Sequence, residues 1–366
     1  MPSLDLGIAG AGLLGRLLAW QLAHAGYRVS VFDPAPGPQP RFDGRGAAAF
    51  TAAGMLSPLA ELDNAGPEIA ALGWRSIALW RAIVATLPDP PAFEERGSLL
   101  LAHRSDLAAA QRVLARLSAT PVPALAPASA PVALSADQLA HLEPGLQPPG
   151  HAWLLSGEAQ IEPVHTMFSL HRDAPGVSWH WGCQVTELRA GALLVDGPVS
   201  GWQHFDAVFD VRGLGARPEL PLRGVRGETV WLHAAGHGLT RPVRLLHPRH
   251  RVYLVPRPGD IVLLGATEIE SEDRSPMSLR SAVELMAAAH SVMPSLAEAR
   301  ILRLDRNLRP ALPDNRPYTE ITATLVRING LFRHGWLLAP ALVEGVLAAW
   351  SRQRADIAAT LPEAAR

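Results

Sequence analysis

The chain has 366 residues, of which 48% are hydrophobic, and its formal net charge is −1. Such a chain is long enough to bury one large core or two interleaved ones, and its near-neutral charge excludes the basic surface that nucleic-acid binding needs. All 33 basic side chains are arginines, which excludes Schiff-base chemistry on a lysine and the phosphate-binding lysine of P-loops.

The cysteine and histidine content excludes further classes of protein and site. The single cysteine, Cys183, excludes an intrachain disulfide and a thiolate metal cluster, and we predict a buried structural thiol. The histidines form no H-E-x-x-H pattern, so we predict no metal site. The N-terminus shows no signal-like segment, and we predict no apolar run long enough to span a bilayer. We therefore expect a cytoplasmic protein with neither a membrane nor a nucleic-acid partner.

Residues 5–33 predict a βαβ unit that binds a dinucleotide. Gly10, Gly12 and Gly15 have G-x-G-x-x-G spacing between an apolar run and a helix-period segment, and Asp33 ends a second apolar run. The glycines permit a tight turn, close backbone approach to a pyrophosphate and close helix–strand packing. An acid at the position of Asp33 suits an adenosine ribose and disfavours NADP, but FAD and NAD both remain open at this point.

Further along the chain, Phe50–Pro58 is rich in alanine and glycine. Such a run either starts a helix or lets backbone lie against a flat ring system, and the residues alone leave both open. Residues 120–134 are almost wholly proline, alanine, valine and serine and predict an exposed loop. Helical periodicity or capping signals predict four helices, over Pro67–Leu87, Asp106–Leu117, Pro163–His171 and Ser278–Met293.

The strand pattern predicts two kinds of sheet. Phe205–Ala216 reads as a strand and a glycine turn that return the chain to the nucleotide sheet. Period-two segments predict strands at Glu228–Leu232, Arg251–Pro256 and Ile261–Thr267, the last two joined as an antiparallel hairpin. We therefore expect an α/β fold with a parallel nucleotide sheet beside an antiparallel, substrate-facing sheet.

Two turns near the end of the chain carry arginines between apolar residues. Arg309 lies in Asn307–Asp314, and Arg333 lies in Gly330–Pro340, which leads into a final helix. On residue type alone the favoured interpretation is a buried structural ion pair, because such pairs are commoner than ligand clamps.

Several segments, taken in order, carry a family likeness. They are Gly10-x-Gly12-x-x-Gly15, Ala52–Pro58, Glu143-Pro144, Tyr253–Arg257, Gly265-Ala266-Thr267, Leu308-Arg309-Pro310 with Asp314, and Phe332–Pro340. This series resembles the FAD-dependent D-amino-acid oxidases, and most of all the glycine oxidases of thiamine biosynthesis. The likeness covers nearly the whole chain.

The resemblance implies a Rossmann-like FAD-binding domain of residues 1–88, 145–224 and 300–366, interleaved with an antiparallel-sheet substrate domain of residues 89–144 and 225–299. It implies non-covalent FAD, since no cysteine stands at a flavin-linking position. The FAD-contacting residues that it implies are Gly10, Gly12, Leu13, Leu14, Gly15, Asp33, Thr51, Ala52, Ala53, Gly54, Met55, Val185, Gly330, Phe332, His334, Gly335, Trp336 and Leu337.

For catalysis, the resemblance implies that Arg309 and Tyr253 hold a substrate carboxylate and that Arg333 lies beside it. Glu268 falls in the implied substrate pocket, where the resembling enzymes have methionine, and an acidic run follows it. That carboxylate either favours a basic or larger amine or is a solvated loop charge, so glycine itself is not fixed as the substrate.

The implied reaction is oxidative deamination of an amino acid or an N-substituted glycine. Hydride passes from Cα to flavin N5, the imine is hydrolysed, and dioxygen is reduced to hydrogen peroxide. Two alternatives stay open: a D-amino-acid or amine dehydrogenase that uses another electron carrier, and a flavin-binding protein without turnover. A homo-oligomer also stays open.

Overall fold

The structure is a computed structural model that describes residues 4–63, 65–119, 130–147, 150–246 and 251–360. Its strands are β1 Asp5–Ala9, β2 Arg28–Asp33, β3 Met55–Leu56, β4 Phe93–Glu94, β5 Ser98–His103, β6 Val132–Leu134, β7 Gly150–Leu155, β8 Ala159–Ile161, β9 Ser178–Trp181, β10 Gln184–Arg189, β11 Ala192–Asp196, β12 Gly201–His204, β13 Ala207–Asp210, β14 Arg223–His233, β15 Val243–Leu246, β16 Arg251–Arg257, β17 Ile261–Gly265, β18 Arg300–Ala311, β19 Tyr318–Ile321 and β20 Leu325–Asn329. Its α-helices are α1 Leu13–His24, α2 Pro58–Glu61, α3 Pro67–Thr86, α4 Leu107–Ala119, α5 Ala136–Leu142, α6 Pro163–Arg172, α7 Leu279–His290 and α8 Gly335–Thr360. Short 3-10 helices are formed by Ala48–Thr51, Arg104–Asp106, Gly213–Ala216 and Pro294–Glu298.

The predicted βαβ unit is the centre of a six-stranded sheet. The strand order is β19-β20-β13-β1-β2-β9, and β1 pairs in parallel with both β2 and β13. Helix α1 buries its leucines against this sheet, including Leu17 and Leu18, which have no exposed surface. The return of the chain through Phe205–Ala216 is confirmed, because β13 lies beside β1 and the turn after it is Gly213–Ala216.

The second large sheet has eight strands in the order β18-β14-β17-β16-β15-β5-β7-β6. The predicted hairpin is confirmed, since β16 and β17 pair antiparallel. Most of the sheet is antiparallel, and β15 and β5 are a parallel pair within it. Two three-stranded sheets, β10-β11-β12 and β3-β8-β4, complete the described fold.

The predicted domain division stays a proposal. The two large sheets correspond to its two parts. However, β7 and β18 are both strands of the eight-stranded sheet, whereas their residues fall in ranges assigned to the nucleotide domain. We would therefore move those two strands to the substrate side of the division.

Three local predictions need correction. Residues 120–129 lie outside the described residues, but Val132–Leu134 form an edge strand on β7 where a loop was predicted, since backbone pairing needs no particular side chains. Asn307–Ala311 end a long strand instead of forming a turn. Pro310 is tolerated there because β18 is the edge strand of its sheet. The Pro310 carbonyl accepts the Phe332 amide at 2.9 Å.

The last helix begins earlier than predicted, at Gly335, and contains Pro340. A proline inside a helix leaves the carbonyl four residues earlier without its amide donor. Here that carbonyl belongs to Trp336, and it accepts the indole N–H of Trp80 from α3 at 2.9 Å. This contact between two helices supplies the missing donor.

Contrary to expectation, α3 is long and apolar enough by length and composition to cross a membrane. The core helix of a soluble protein meets the same criterion. Helix α3 packs against α8, and its Ile77 and Trp80 are buried in the core that also contains Leu338 and Val343.

Candidate active site

A cavity of about 1220 Å³ is lined by residues of both large sheets, and every predicted site residue except Gly15 lines it. The glycine motif and Asp33 lie at one part of its wall, and Tyr253, Arg309 and Arg333 lie at another. A cavity of this size is large enough for an extended dinucleotide together with a small substrate.

The nucleotide part of the cavity has the close packing that the glycine spacing predicts. Gly10 has φ +104°, and a Cβ on Gly15 would lie 1.8 Å from the Gly10 carbonyl oxygen, so Gly15 acts in helix–strand packing. Gly12 caps α1 without a side-chain hydrogen bond, which leaves the first-turn amides of α1 to a ligand. The Asp33 carboxylate accepts the Ala11 amide at 2.7 Å and the Ala35 amide at 2.8 Å, which fixes its orientation.

The alanine- and glycine-rich segment lies along the cavity wall. Ala48–Thr51 form a 3-10 turn, the chain then extends into β3, and Gly54 has φ +61° with no room for a Cβ against the Ile161 carbonyl. The buried Arg257 donates to the Ala53 carbonyl from behind. The nearby helix starts only at Pro58, so Phe50–Met55 present backbone to the cavity.

The Gly330–Leu337 segment forms another wall. Phe332 has φ +51°, and its amide donates to the Pro310 carbonyl, which joins this turn to the end of β18. The indole of Trp336 donates to the Ala49 carbonyl at 3.1 Å. The N-terminus of α8 thus lies at the cavity, where its dipole favours negative charge.

At the other part of the cavity, two strand glycines make room for two functional side chains. A Cβ on Gly265 would lie 2.5 Å from the Tyr253 hydroxyl oxygen, and a Cβ on Gly227 would lie 2.4 Å from Cζ of Arg309. Both Nη atoms of Arg309 donate to the Thr267 carbonyl at 3.1 Å. Within the described residues Arg309 makes no hydrogen bond or ion pair to a carboxylate, so its favoured interpretation as a structural ion pair was wrong.

Arg333, in contrast, does form the buried ion pair expected from residue type. Its Nη2 lies 2.5 Å from Oε2 of Glu61, and its Nη1 lies 3.5 Å from Oε2 of Glu268. Burial alone would raise the pKa of the Glu61 carboxyl, but the charges of Arg333, Arg244 and His334 lower it to about 2. Glu61 is therefore a carboxylate at neutral pH.

Comparison with known proteins identifies the family. The family model described as "FAD dependent oxidoreductase" (DAO) matches residues 5–349. The chain belongs to this family. A Rhizobium etli protein named as a thiamine biosynthesis oxidoreductase, ThiO, is 35% identical over 92% of this chain and 93% of its own length. The glycine oxidase of Bacillus licheniformis is 28% identical over 93% of this chain and 91% of its own.

Among solved structures, the glycine oxidase of Geobacillus kaustophilus is similar in fold, with a TM-score of 0.80 and 23% identity over 96% of this chain and 95% of its own. As a member of the FAD-dependent oxidoreductase family, the chain has a glycine turn, a free helix N-terminus and an oriented acid, the features that the ADP half of FAD requires.

The sequence alone assigned no role to four residues that line or support the cavity of this FAD-dependent oxidoreductase: Glu61, Arg244, Gly227 and Gly265. Gly227 and Gly265 lie inside strands, where a glycine often marks a close approach of another group. Arg244 is a lone charge among the apolar residues of β15. No local pattern marks Glu61, because its partner Arg333 lies 272 residues further along the chain.

The remaining charged and polar candidates have separate roles. Glu270 pairs with Arg223, and Glu272 pairs with Arg217, so both are solvated loop charges. Glu268 differs from them, because it lines the cavity and its Oε2 lies 3.5 Å from Nη1 of Arg333. Cys183 is buried, as predicted. Within the described ranges, no group of three histidine, cysteine or acidic side chains could hold a metal ion.

Proposed function

We propose that this FAD-dependent oxidoreductase oxidises an amino acid or an N-substituted glycine at its C–N bond. The observation that carries the proposal is Arg309, a half-buried guanidinium that makes no ion pair with an acidic side chain among the described residues, in the same cavity as Tyr253 and the nucleotide motif. A cation that is removed from water without a counter-charge is costly, and a substrate carboxylate would supply that counter-charge. The names of the Rhizobium and Bacillus relatives point to the same chemistry.

In this proposal Arg309 holds the substrate carboxylate through its planar fork, a geometry that matches two carboxylate oxygens. The Tyr253 hydroxyl donates a hydrogen bond to the same carboxylate. Burial raises the pKa of the Tyr253 phenol, although the charge of Arg309 opposes this, so the phenol keeps its proton at physiological pH. The pair orients the substrate, and orientation supplies much of the rate when the cofactor carries the chemistry.

Arg333 lies beside this pair, and the carboxylate of Glu61 raises the pKa of its guanidinium against the effect of burial. Glu61 thereby fixes the Arg333 side chain toward the cavity. When bound, FAD supplies the hydride acceptor for the substrate Cα–H bond, and its reoxidation by dioxygen yields hydrogen peroxide. The imine product is hydrolysed to an oxo acid and to ammonia or an amine.

We also propose that FAD is held non-covalently and that the enzyme acts in the cytoplasm. The residues in contact with FAD would be those that the resemblance implies, namely Gly10, Gly12, Leu13, Leu14, Asp33, Thr51–Met55, Val185, Gly330, Phe332 and His334–Leu337, with Gly15 acting in helix–strand packing. Assays must separate this function from two alternatives: a dehydrogenase that uses an electron carrier instead of dioxygen, and a flavin protein without turnover. Whether the enzyme is a homo-oligomer is a separate question for assays of the purified protein.

An anaerobic titration of the purified holoenzyme tests the proposal. Glycine, sarcosine and D-amino acids are added while the visible flavin absorbance is followed, and one or more of them should bleach it. Arg309→Lys should raise the substrate concentration that gives half the maximal rate of flavin reduction by at least about tenfold, since the fork is lost. Arg300→Lys is the matched control, because Arg300 lies on the same strand and its side chain is 75% exposed.

If no amine bleaches the flavin of the wild-type enzyme, amine oxidation is excluded. Readmission of air then separates an oxidase from a dehydrogenase. Rapid return of the absorbance with formation of peroxide supports an oxidase, whereas return only with an artificial acceptor supports the alternative.

A further inference from the structure

A third arginine, Arg244, lies beside the proposed carboxylate site and has no role in the function proposed above. It is on β15, directly opposite Tyr253 on β16, so both side chains are on the same face of the sheet. Arg244 lines the same cavity as Tyr253 and Arg309.

The guanidinium of Arg244 is incompletely paired. Its Nη2 reaches Oε1 of Glu61 only at 3.4 Å, a long contact for a charge-assisted hydrogen bond, while Arg333 holds the other oxygen of Glu61 at 2.5 Å. Nε of Arg244 is buried and has no hydrogen-bond partner among the described residues. Glu61 therefore pairs mainly with Arg333, and Arg244 keeps hydrogen-bond donors that Glu61 does not satisfy.

The other buried acid nearby is already engaged. Glu158 accepts the Ala60 amide at 2.9 Å and the Ser98 hydroxyl at 2.5 Å, and burial raises the pKa of its carboxyl although the charge of Arg244 opposes this. It makes no ion pair with Arg244 in the described structure. This end of the cavity thus has three guanidiniums, those of Arg244, Arg309 and Arg333, against Glu61 and the half-exposed Glu268.

The strand order places Arg244 beyond Tyr253, on the side away from Arg309. The Tyr253 ring leans over Gly265 of β17, which is the strand on the far side of β16 from β15. Neighbouring strands are about 4.8 Å apart, so β15 with Arg244 is one strand spacing from Tyr253, within reach of the second end of a small molecule held by Arg309 and Tyr253.

We propose that Arg244 forms a second carboxylate subsite, and that the preferred substrate is a dicarboxylic amine with one carboxylate on Arg309 and Tyr253 and the other on Arg244. This inference rests on the proposed function and names its substrate class. Two kinds of compound share this chemistry: a secondary amine flanked by two carboxymethyl groups, and an α-amino dicarboxylic acid.

The test uses glutarate and valerate as inert probes for the holoenzyme. They have the same carbon chain length, lack an amine, and differ in one terminal carboxylate. Dissociation constants are measured from the change in flavin absorbance. We expect glutarate to bind about tenfold to hundredfold tighter than valerate, the gain of one charge-assisted hydrogen-bonded contact.

Arg244→Gln should abolish most of this preference, and Arg244→Lys, which keeps the charge without the fork, should retain part of it. Arg223→Gln is the control for net charge, because Arg223 pairs with the loop residue Glu270 and does not line the cavity. It should keep the full preference. FAD content and melting temperature report whether each variant folds, and Arg244→Lys decides if Arg244→Gln does not fold.

A wild-type enzyme that binds glutarate no tighter than valerate overturns the subsite, as does an Arg244→Gln variant that keeps the preference. If valerate binds and glycine reduces the flavin, that failure concerns Arg244 alone. If no carboxylate binds and no amine reduces the flavin, the proposed function itself has failed. Reduction by iminodiacetate compared with D- and L-aspartate then distinguishes the two kinds of dicarboxylic amine.

Discussion

At the scale of single residues, the site depends on partners that are remote in sequence. Arg309 was predicted from its resemblance to known oxidases, but its placement depends on Gly227, where any Cβ would meet its guanidinium. Glu61 was not predicted, because the sequence around it shows only a short helix end. A charge that is paired through a contact between distant segments has no local signature, whereas a glycine turn before a helix has one.

Glu61 is expected to contribute strongly to stability. Glu61→Gln leaves Arg333 with only the half-exposed Glu268 and removes the ion pair of Arg244, which should lower the free energy of unfolding by about 3–5 kcal/mol. Glu344→Gln is the matched control, since Glu344 pairs with Arg75 on the surface and should cost less than about 1 kcal/mol. Urea denaturation of both variants measures this difference, and equal losses would contradict it.

The same ion pair predicts a pH dependence with a definite sign. The pKa of Glu61 falls from an ordinary value of 4.5 to about 2 in the folded protein, so the unfolded chain takes up its proton first as the pH falls. The contribution of the Glu61 carboxylate to the free energy of unfolding is therefore complete above about pH 5 and is lost as the pH falls toward 2. The stability difference between wild type and Glu61→Gln should shrink over this range, and a constant difference would exclude the linkage.

At the scale of secondary-structure elements, the periodic segments were predicted well and the proline positions were not. The sequence pattern predicts Pro340 before the last helix, because the rule for proline in a helix considers only the helix itself. The indole of Trp80 on α3 supplies the donor that the rule treats as missing. Pro310 in β18 is a similar case, in which the edge position of the strand decides the outcome.

The contact between α3 and α8 can be tested with two tryptophans of α3. Trp80→Phe removes the donor to the Trp336 carbonyl and should lower the free energy of unfolding by about 1–3 kcal/mol. Trp74→Phe is the control, because Trp74 Nε1 is buried with no hydrogen-bond partner in the described structure. In thermal unfolding, the melting temperature of Trp80→Phe should be clearly lower than that of Trp74→Phe, and the reverse order would show that this hydrogen bond contributes little.

At the scale of the whole molecule, the α/β class, the two kinds of sheet and the nucleotide motif followed from the sequence. The lateral order of the strands did not, since β18 joins β14 only through pairing across the fold. Hydrophobic periodicity identifies a strand but not its neighbour, so it does not indicate to which side of the proposed domain division β7 and β18 belong.

A cofactor that bridges both sheets should stabilise the whole chain. Removal of FAD should lower the melting temperature, and FAD at a hundred times its dissociation constant should restore about 2.7 kcal/mol. FMN lacks the ADP half that the glycine motif and Asp33 would hold, so it should restore far less at the same concentration. Calorimetry of the apo-protein with each flavin measures the effect, and equal stabilisation by both would exclude an ADP site at the glycine motif.

The three side chains proposed to hold the substrate, those of Arg244, Tyr253 and Arg309, are on separate strands of the eight-stranded sheet. The glycine motif and Asp33 belong to the other large sheet. Selectivity and cofactor affinity are thus encoded in separable parts of the gene. Directed evolution confined to codons of β15, β16 and β18 would therefore explore new substrates while the flavin remains in place.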